Sequence, residues 1–119
     1  MGRTILTDFH DAVKKRCRYE IFIPLNYNNG DLVEAEKILN TEEEIMKKFG
    51  VLTTYPVSLR ASGLWKSGDQ IFHDNLLVYR LDVGTDDVTL KFFVEYKEKL
   101  EKYYNQIKIY MTRQRIEII

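Results

Sequence analysis

Apolar and polar residues alternate from Tyr19 to Tyr27, which is the two-residue period of a β-strand. The side of this strand predicted to be buried carries Tyr19, Ile21, Ile23 and Leu25. A similar alternation recurs from Leu76 to Val83 and from Ile107 to Thr112, with Ile116 to Ile119 as an extension past a bend. The segment from Val51 to Arg60 is rich in β-forming residues, and it predicts another strand.

Two further segments have the spacing of amphipathic helices. The first would start after Asp31 and Glu34, break or restart near Thr41, and end at Gly50. The second follows the turn at 84–87 and has a strong apolar stripe, formed by Val88, Phe92, Phe93, Tyr96, Leu100 and Tyr103. A short additional helix is predicted near the start of the chain, from Thr7 to Arg16.

The order of these elements predicts an α+β fold of the ferredoxin-like type. Two β-rich pieces around Gly63–Lys66 and Gln70–His73 form a hairpin, and the remaining elements follow the order βαββαβ. We expect an antiparallel four-stranded sheet with two helices on one face. Residues 1–18 would be an N-terminal helical appendage and residues 19–119 a single domain.

Composition and charge narrow the function classes. Eighteen Lys and Arg balance eighteen Asp and Glu among 119 residues, whereas a nucleic-acid-binding domain usually has a basic excess. A single cysteine, Cys17, excludes an internal disulfide, and no apolar run is long enough to span a membrane. We therefore expect a cytoplasmic protein without a metal or cofactor, and we identify no catalytic residue.

The sheet face opposite the helices is the first candidate for function. It would combine aromatic, aliphatic and charged side chains, which is unusual for a fully solvated surface, and its central members are Phe22, Val78, Arg80 and Tyr110. We expect a homodimer through this face, and thus a non-enzymatic binding or regulatory module. An RNA-binding platform is the third alternative, because Phe22 occupies a position at which RNA-recognition strands carry a stacking aromatic.

The second alternative is a small enzyme or metabolite-binding protein whose pocket lies around the hairpin. Its residues would be Arg60, Trp65, His73 and Asp74, with His73 and Asp74 as an acid–base pair and Arg60 or Arg80 as an anion clamp. A single histidine in a hairpin is more often a surface residue, and a tryptophan there more often closes the end of a sheet. The non-enzymatic module is therefore favoured over this pocket.

Three short motifs resemble a family of small prokaryotic proteins of unknown function. They are Leu25–Gly30, Thr41–Glu44 with Phe49–Gly50, and Gly63–Trp65. The resemblance covers about Tyr19 to Ile119 and implies a self-standing ferredoxin-like domain of about 100 residues. It implies no catalytic residues.

Overall fold

The computed structural model describes residues 9–57, 64–67, 70–73 and 75–119, and for 64–67 and 70–73 the backbone alone. The elements are β1 (Lys14–Pro24), α1 (Ala35–Phe49), β2 (Thr53–Val57), β3 (Leu64–Ser67), β4 (Gln70–His73), β5 (Leu76–Val83), α2 (Asp87–Tyr103) and β6 (Met111–Ile118). No helix in these ranges is both long and apolar enough to cross a membrane.

The main sheet has four antiparallel strands in the order β2-β5-β1-β6. The long strand β1 is central, and its Ile21 pairs with Tyr79 of β5 on one side and with Met111 of β6 on the other. Strands β3 and β4 form a separate two-stranded sheet, as the hairpin prediction required. The predicted α+β class and the four-stranded antiparallel sheet are confirmed.

Both helices pack on the same face of the sheet. The ring of Tyr19 in β1 stacks on Phe93 of α2 at 3.9 Å between ring centroids, and the hydroxyl of Tyr79 in β5 donates to Glu42 of α1 at 2.9 Å. Both tyrosines project from the same face, because Tyr79 pairs with Ile21, which lies two residues from Tyr19 on β1. The core between helices and sheet contains Cys17, Tyr19, Ile21, Ile23, Ile45, Tyr79, Leu81, Phe93, Tyr96, Leu100, Tyr104 and Ile109.

Helix α1 is continuous, so the predicted break near Thr41 is wrong. Thr41 is buried in the middle of the helix, where its hydroxyl donates to the Lys37 carbonyl at 2.9 Å and lies 2.5 Å from the Tyr104 hydroxyl. The first turn is capped by Glu34 without a side-chain bond. The predicted end of the helix is correct, because Gly50 adopts the left-handed conformation at φ 73° that glycine tolerates best.

Helix α2 begins as predicted. Asp86 is its N-cap, and the carboxylate accepts a hydrogen bond from the backbone N–H of Thr89 at 2.9 Å. After the helix ends, Asn105 has a positive φ of 52°, which turns the chain back toward the sheet.

The structure differs from prediction at both ends of the chain. Strand β1 begins at Lys14, so the predicted helix from Thr7 to Arg16 is wrong over its last three residues, and 9–11 form a single helical turn. The last strand begins at Met111 rather than at Ile107, and Ile107 is 92% exposed. The division at residue 18 stays a prediction, although β1 crosses it.

Candidate functional site

A groove runs between α2 and β6 on the helix side of the sheet. Its volume is about 380 Å³. It is lined by Tyr19, Leu90, Phe93, Val94, Lys97, Glu98, Glu101, Met111, Thr112 and Arg113. Because α2 rises by about 1.5 Å per residue, the stretch from Leu90 to Glu101 makes the groove about 16 Å long.

The floor of the groove is apolar and aromatic. Tyr19 and Phe93 are each 1% exposed and are stacked on one another, so the floor is held in place by the core itself. Leu90 and Met111 are partly buried beside them, and Val94 is exposed on the helix side. Because the two rings are almost fully buried, the apolar surface that the groove offers to a ligand comes from Leu90, Val94 and Met111.

The end of the groove nearest the C-terminus of α2 is acidic. The Glu101 carboxylate accepts hydrogen bonds from the Lys97 ammonium at 2.6 Å and from the backbone N–H of Ile109 at 2.9 Å. The bond from Lys97 holds the pKa of Glu101 below its ordinary value, so this carboxylate is charged at neutral pH. Glu98 is exposed and has no hydrogen bond or ion pair with any part of the chain that the structure describes.

The opposite end of the groove contains Arg113 and the tip of Tyr19. Arg113 comes from β6, where the register pairs it with Tyr19, and its guanidinium lies 6.0 Å from the Tyr19 ring centroid. The guanidinium donates to the Cys17 sulfur at 3.3 Å. Burial raises the pKa of Tyr19 although the nearby charge of Arg113 opposes this, so the phenol keeps its proton at neutral pH.

The groove therefore combines an aromatic floor with a cationic end and an acidic end. Its volume falls at the lower end of the range for small-molecule sites. The arrangement can bind an elongated organic molecule that has a flat apolar part and charges of both signs. No group of three or more His, Cys, Asp or Glu side chains that could hold a metal ion occurs within the described ranges.

The sheet face away from the helices carries a polar network. Arg80 donates to Glu20 at 3.3 Å and to the Tyr55 hydroxyl at 3.1 Å, and Tyr55 itself donates to Glu20. One row further along, Arg18 forms a bidentate pair with Asp82 at 2.8 and 3.1 Å. The charges on this face are thus largely neutralised by one another.

The four residues predicted as an interface do come together on this same face. Phe22 pairs with Val78 in the β1–β5 register, and its ring meets Tyr110 edge to face at 5.2 Å. Val78 is fully buried, whereas Tyr110 is 60% exposed. The structure is of one chain, so the homodimer through this face stays a prediction.

The alternative pocket falls outside what the structure describes. Arg60 and Asp74 are not among the described residues, and Trp65 and His73 are placed only as backbone positions in β3 and β4. The groove residues were missed by sequence reasoning. One signal was present, since Lys97 and Glu101 are four residues apart on a predicted helix, but Arg113 reaches the groove through a strand register that only the fold specifies.

Comparison with known proteins gives a single informative result. No protein-family model matches the chain, and no curated protein matches it. Among solved structures, a phage SAM lyase in complex with S-methyl-5'-thioadenosine matches with a TM-score of 0.62 and 14% identity, over 87% of this chain and 88% of that one.

This likeness shows the fold. It also corrects the expectation of a non-enzymatic binding or regulatory module, because the similar protein, which shares this fold over 88% of its length, is named as a lyase; self-association through the sheet face stays a prediction. The alternative of a small enzyme or metabolite-binding protein is the better of the two. The resemblance to uncharacterised prokaryotic proteins stays a prediction.

Proposed function

We propose that this chain is a lyase that cleaves S-adenosylmethionine and releases S-methyl-5'-thioadenosine, with the groove between α2 and β6 as its active site. The observation that carries the proposal is the groove itself, an aromatic-floored site with charges at both ends, in a fold shared with a SAM lyase over 87% of the chain. The strand order β2-β5-β1-β6 further supports a ferredoxin-like fold.

The reaction has simple requirements. S-Methyl-5'-thioadenosine forms when the bond between sulfur and Cγ of the amino-acid portion breaks and its electron pair stays on sulfur. The sulfonium charge disappears in that step. Because a lyase adds no water, the four-carbon fragment must close onto its own carboxylate as a lactone or lose a proton to form an alkene. The enzyme has to bind, orient and shield the substrate.

The groove supplies those functions. The accessible apolar side chains of the groove, Leu90, Val94 and Met111, would contact the apolar parts of the substrate and keep water from that side of it. The carboxylates of Glu98 and Glu101 provide negative charge for a sulfonium centre. Glu101 is fixed by two hydrogen bonds, so it would orient the reacting portion rather than accept a proton.

Incubation of the purified chain with S-adenosylmethionine, followed by chromatography for S-methyl-5'-thioadenosine and mass spectrometry of the four-carbon product, tests the activity. Val94→Arg places a long charged side chain at the mouth of the groove and is expected to abolish cleavage. Val88→Arg is the matched control, since Val88 is 80% exposed on the same helix and does not line the groove.

Each outcome has a defined meaning. Absence of cleavage by the wild-type chain would refute the lyase, and saturable binding of S-methyl-5'-thioadenosine without cleavage would leave a metabolite-binding protein. Cleavage by Val94→Arg at the wild-type rate would refute the groove as the active site. Loss of activity in both variants alike would point to a general effect on α2, and the assignment of the groove would then fail.

A further inference from the structure

Tyr19 has a buried hydroxyl without a hydrogen-bond partner. The residue is 1% exposed, and its phenolic oxygen makes no hydrogen bond among the described residues. Leaving a buried hydroxyl unpaired costs about 1–3 kcal/mol, so a phenylalanine would serve the core better at this position. A polar group retained at such a cost beside a groove indicates a use for the hydroxyl.

Arg113 lies beside the Tyr19 ring, with its guanidinium 6.0 Å from the ring centroid, and is itself poorly paired. Its guanidinium donates to the sulfur of Cys17, which is a weak acceptor, and no carboxylate lies within ion-pair distance of it in the described part of the chain. The residue is exposed, so its side chain is free to move toward the groove. A fixed phenol and a movable guanidinium thus lie at the same end of the groove, both with unused donor capacity.

We infer that Tyr19 and Arg113 form a subsite for the α-carboxylate of the substrate's amino-acid portion. The inference rests on the proposed function and specifies which end of the groove takes which end of the substrate. A carboxylate has acceptor sites enough for both donors, and a guanidinium matches its planar geometry. When Arg113 turns from the Cys17 sulfur to a ligand carboxylate, the neighbouring Tyr19 hydroxyl would gain an acceptor as well.

The acidic residues near this end fit the same assignment. After burial, Asp86 contributes to the raised pKa of Tyr19, and after the bond to the Cys17 sulfur, Asp87 contributes to the raised pKa of Arg113, so both carboxylates lie near this end of the groove. The Asp86 oxygens are already occupied by the N–H and the hydroxyl of Thr89, at 2.9 Å each. An α-amino acid carries an ammonium group next to its carboxylate, and Asp87 would face that ammonium. The methylene groups of the amino-acid portion would then lie along the apolar floor, with the sulfonium toward Glu98.

Two ligands together separate the contribution of the amino-acid portion to binding from that of the nucleoside. S-Adenosylhomocysteine carries the amino-acid portion but no sulfonium, whereas S-methyl-5'-thioadenosine lacks the amino-acid portion. Titration calorimetry with both ligands is done on the wild-type chain and on Tyr19→Phe and Arg113→Gln. Each variant is expected to weaken S-adenosylhomocysteine binding by about tenfold or more, since it removes a hydrogen bond to a charged group. Binding of S-methyl-5'-thioadenosine is expected to stay unchanged.

Arg115→Gln is the matched control, because Arg115 is exposed two residues further along β6 and does not line the groove. It should change neither affinity. Tyr19→Phe also reports on folding: removal of an unpaired hydroxyl should leave the melting temperature unchanged or raise it, whereas a structural role would lower it. A lower melting temperature together with equal loss of both ligands would overturn the inference.

The inference and the proposed function fail in different ways. If the wild-type chain binds both nucleosides but neither Tyr19→Phe nor Arg113→Gln affects S-adenosylhomocysteine, the carboxylate subsite is refuted and the groove remains a nucleoside site. If the variants lose both ligands equally, the two side chains serve the groove as a whole and the subsite is refuted. If the wild-type chain binds neither ligand and cleaves no S-adenosylmethionine, both proposals fall.

Discussion

Glu98 is the residue at which the proposed sulfonium specificity can be tested most directly. It lines the groove, and it has no partner among the described side chains whose loss would confuse the result. Glu98→Gln keeps the shape and removes the charge. We expect the affinity for S-adenosylmethionine to fall by about twofold to fivefold, the size of an exposed charge pair, and the affinity for S-adenosylhomocysteine, which lacks the sulfonium charge, to stay the same.

The ratio of the two affinities is the measurement, obtained from the KM for S-adenosylmethionine and the inhibition constant of S-adenosylhomocysteine. Glu95→Gln is the control, because Glu95 lies on the same helix, pairs with Lys91 at 3.8 Å and does not line the groove. The effect should shrink as salt is added, since exposed charges are screened. An unchanged ratio in Glu98→Gln would remove this carboxylate from the sulfonium site.

At the residue scale, the face of the sheet on which each β1 side chain lies could be derived from the alternation of apolar and polar residues in the sequence. This alternation placed Tyr19 and Ile21 toward the helices and Glu20 and Phe22 on the other face, and the burial of these residues agrees. The partners of those residues could not be derived. Arg113 meets Tyr19 because β6 pairs with β1 in one register, and a strand pair separated by more than ninety residues leaves no local signal of its register.

At the element scale, Thr41 shows how a tertiary contact overrides a local signal. A threonine followed by glutamate three residues later is typical of a helix start, and this pattern predicted a break in α1. In the structure the hydroxyl instead bonds the preceding turn and the Tyr104 hydroxyl at the end of α2. The helix stays continuous because its polar interruption is satisfied by the other helix.

Thr41→Val is therefore expected to destabilise the fold. Valine keeps the shape, but both hydrogen bonds of the hydroxyl are lost and Tyr104 keeps only its bond to the Lys37 carbonyl at 3.1 Å. We expect the free energy of unfolding in urea to fall by about 1–2 kcal/mol, since each of the two hydrogen bonds contributes about 0.5–1.5 kcal/mol and Tyr104 keeps one partner. Thr54→Val, at an exposed position in β2, is the control and should cost less than half of that.

A double-mutant cycle with Tyr104→Phe completes the test. If the two hydroxyls interact, the double variant should lose less stability than the sum of the two single variants. Strict additivity would show that Thr41 acts only within its own helix, and the proposed link between α1 and α2 would be wrong.

The misplaced last strand has a comparable physical reason. The alternation of Ile107, Ile109 and Met111 predicted a strand, but Asn105 turns the chain and the next residues cross to the sheet before pairing starts at Met111. Ile109 is buried on this crossing, and its backbone N–H is bound by Glu101 rather than by a strand. Side-chain alternation alone does not distinguish a strand from an extended connection.

At the scale of the whole molecule, the two faces of the sheet have different electrostatics. The face under the helices is an apolar core that opens at one side into the groove, where Glu98 and Arg113 keep unused charge. The other face has its charges paired, in Arg18 with Asp82 and in Arg80 with Glu20. Glu98 and Arg113 thus leave charge available at the groove, which the proposed ligand site would use.

The hydrogen-bonded carboxylates predict how the stability of the whole fold changes at low pH. The bond from Arg18 lowers the pKa of Asp82, the bond from Lys97 lowers that of Glu101, and the Thr89 backbone lowers that of Asp86. In each case the pKa is lower in the folded chain than in the unfolded one. The unfolded state therefore binds more protons as the pH falls, and the free energy of unfolding decreases with it.

The stabilisation from these three carboxylates is complete above the ordinary carboxylate values, near about pH 5, and is lost as the pH falls through the lowered values. Urea unfolding at a series of pH values from about 7 down to about 3 should show a plateau and then a decline. Asp82→Asn removes one titrating group and should flatten the decline. Glu95→Gln removes only an exposed ion pair with a nitrogen–oxygen distance of 3.8 Å and should leave the decline unchanged. An equally steep decline in Asp82→Asn would show that the pair of Asp82 with Arg18 does not couple folding to protonation. The dependence of stability on pH would then come from other carboxylates.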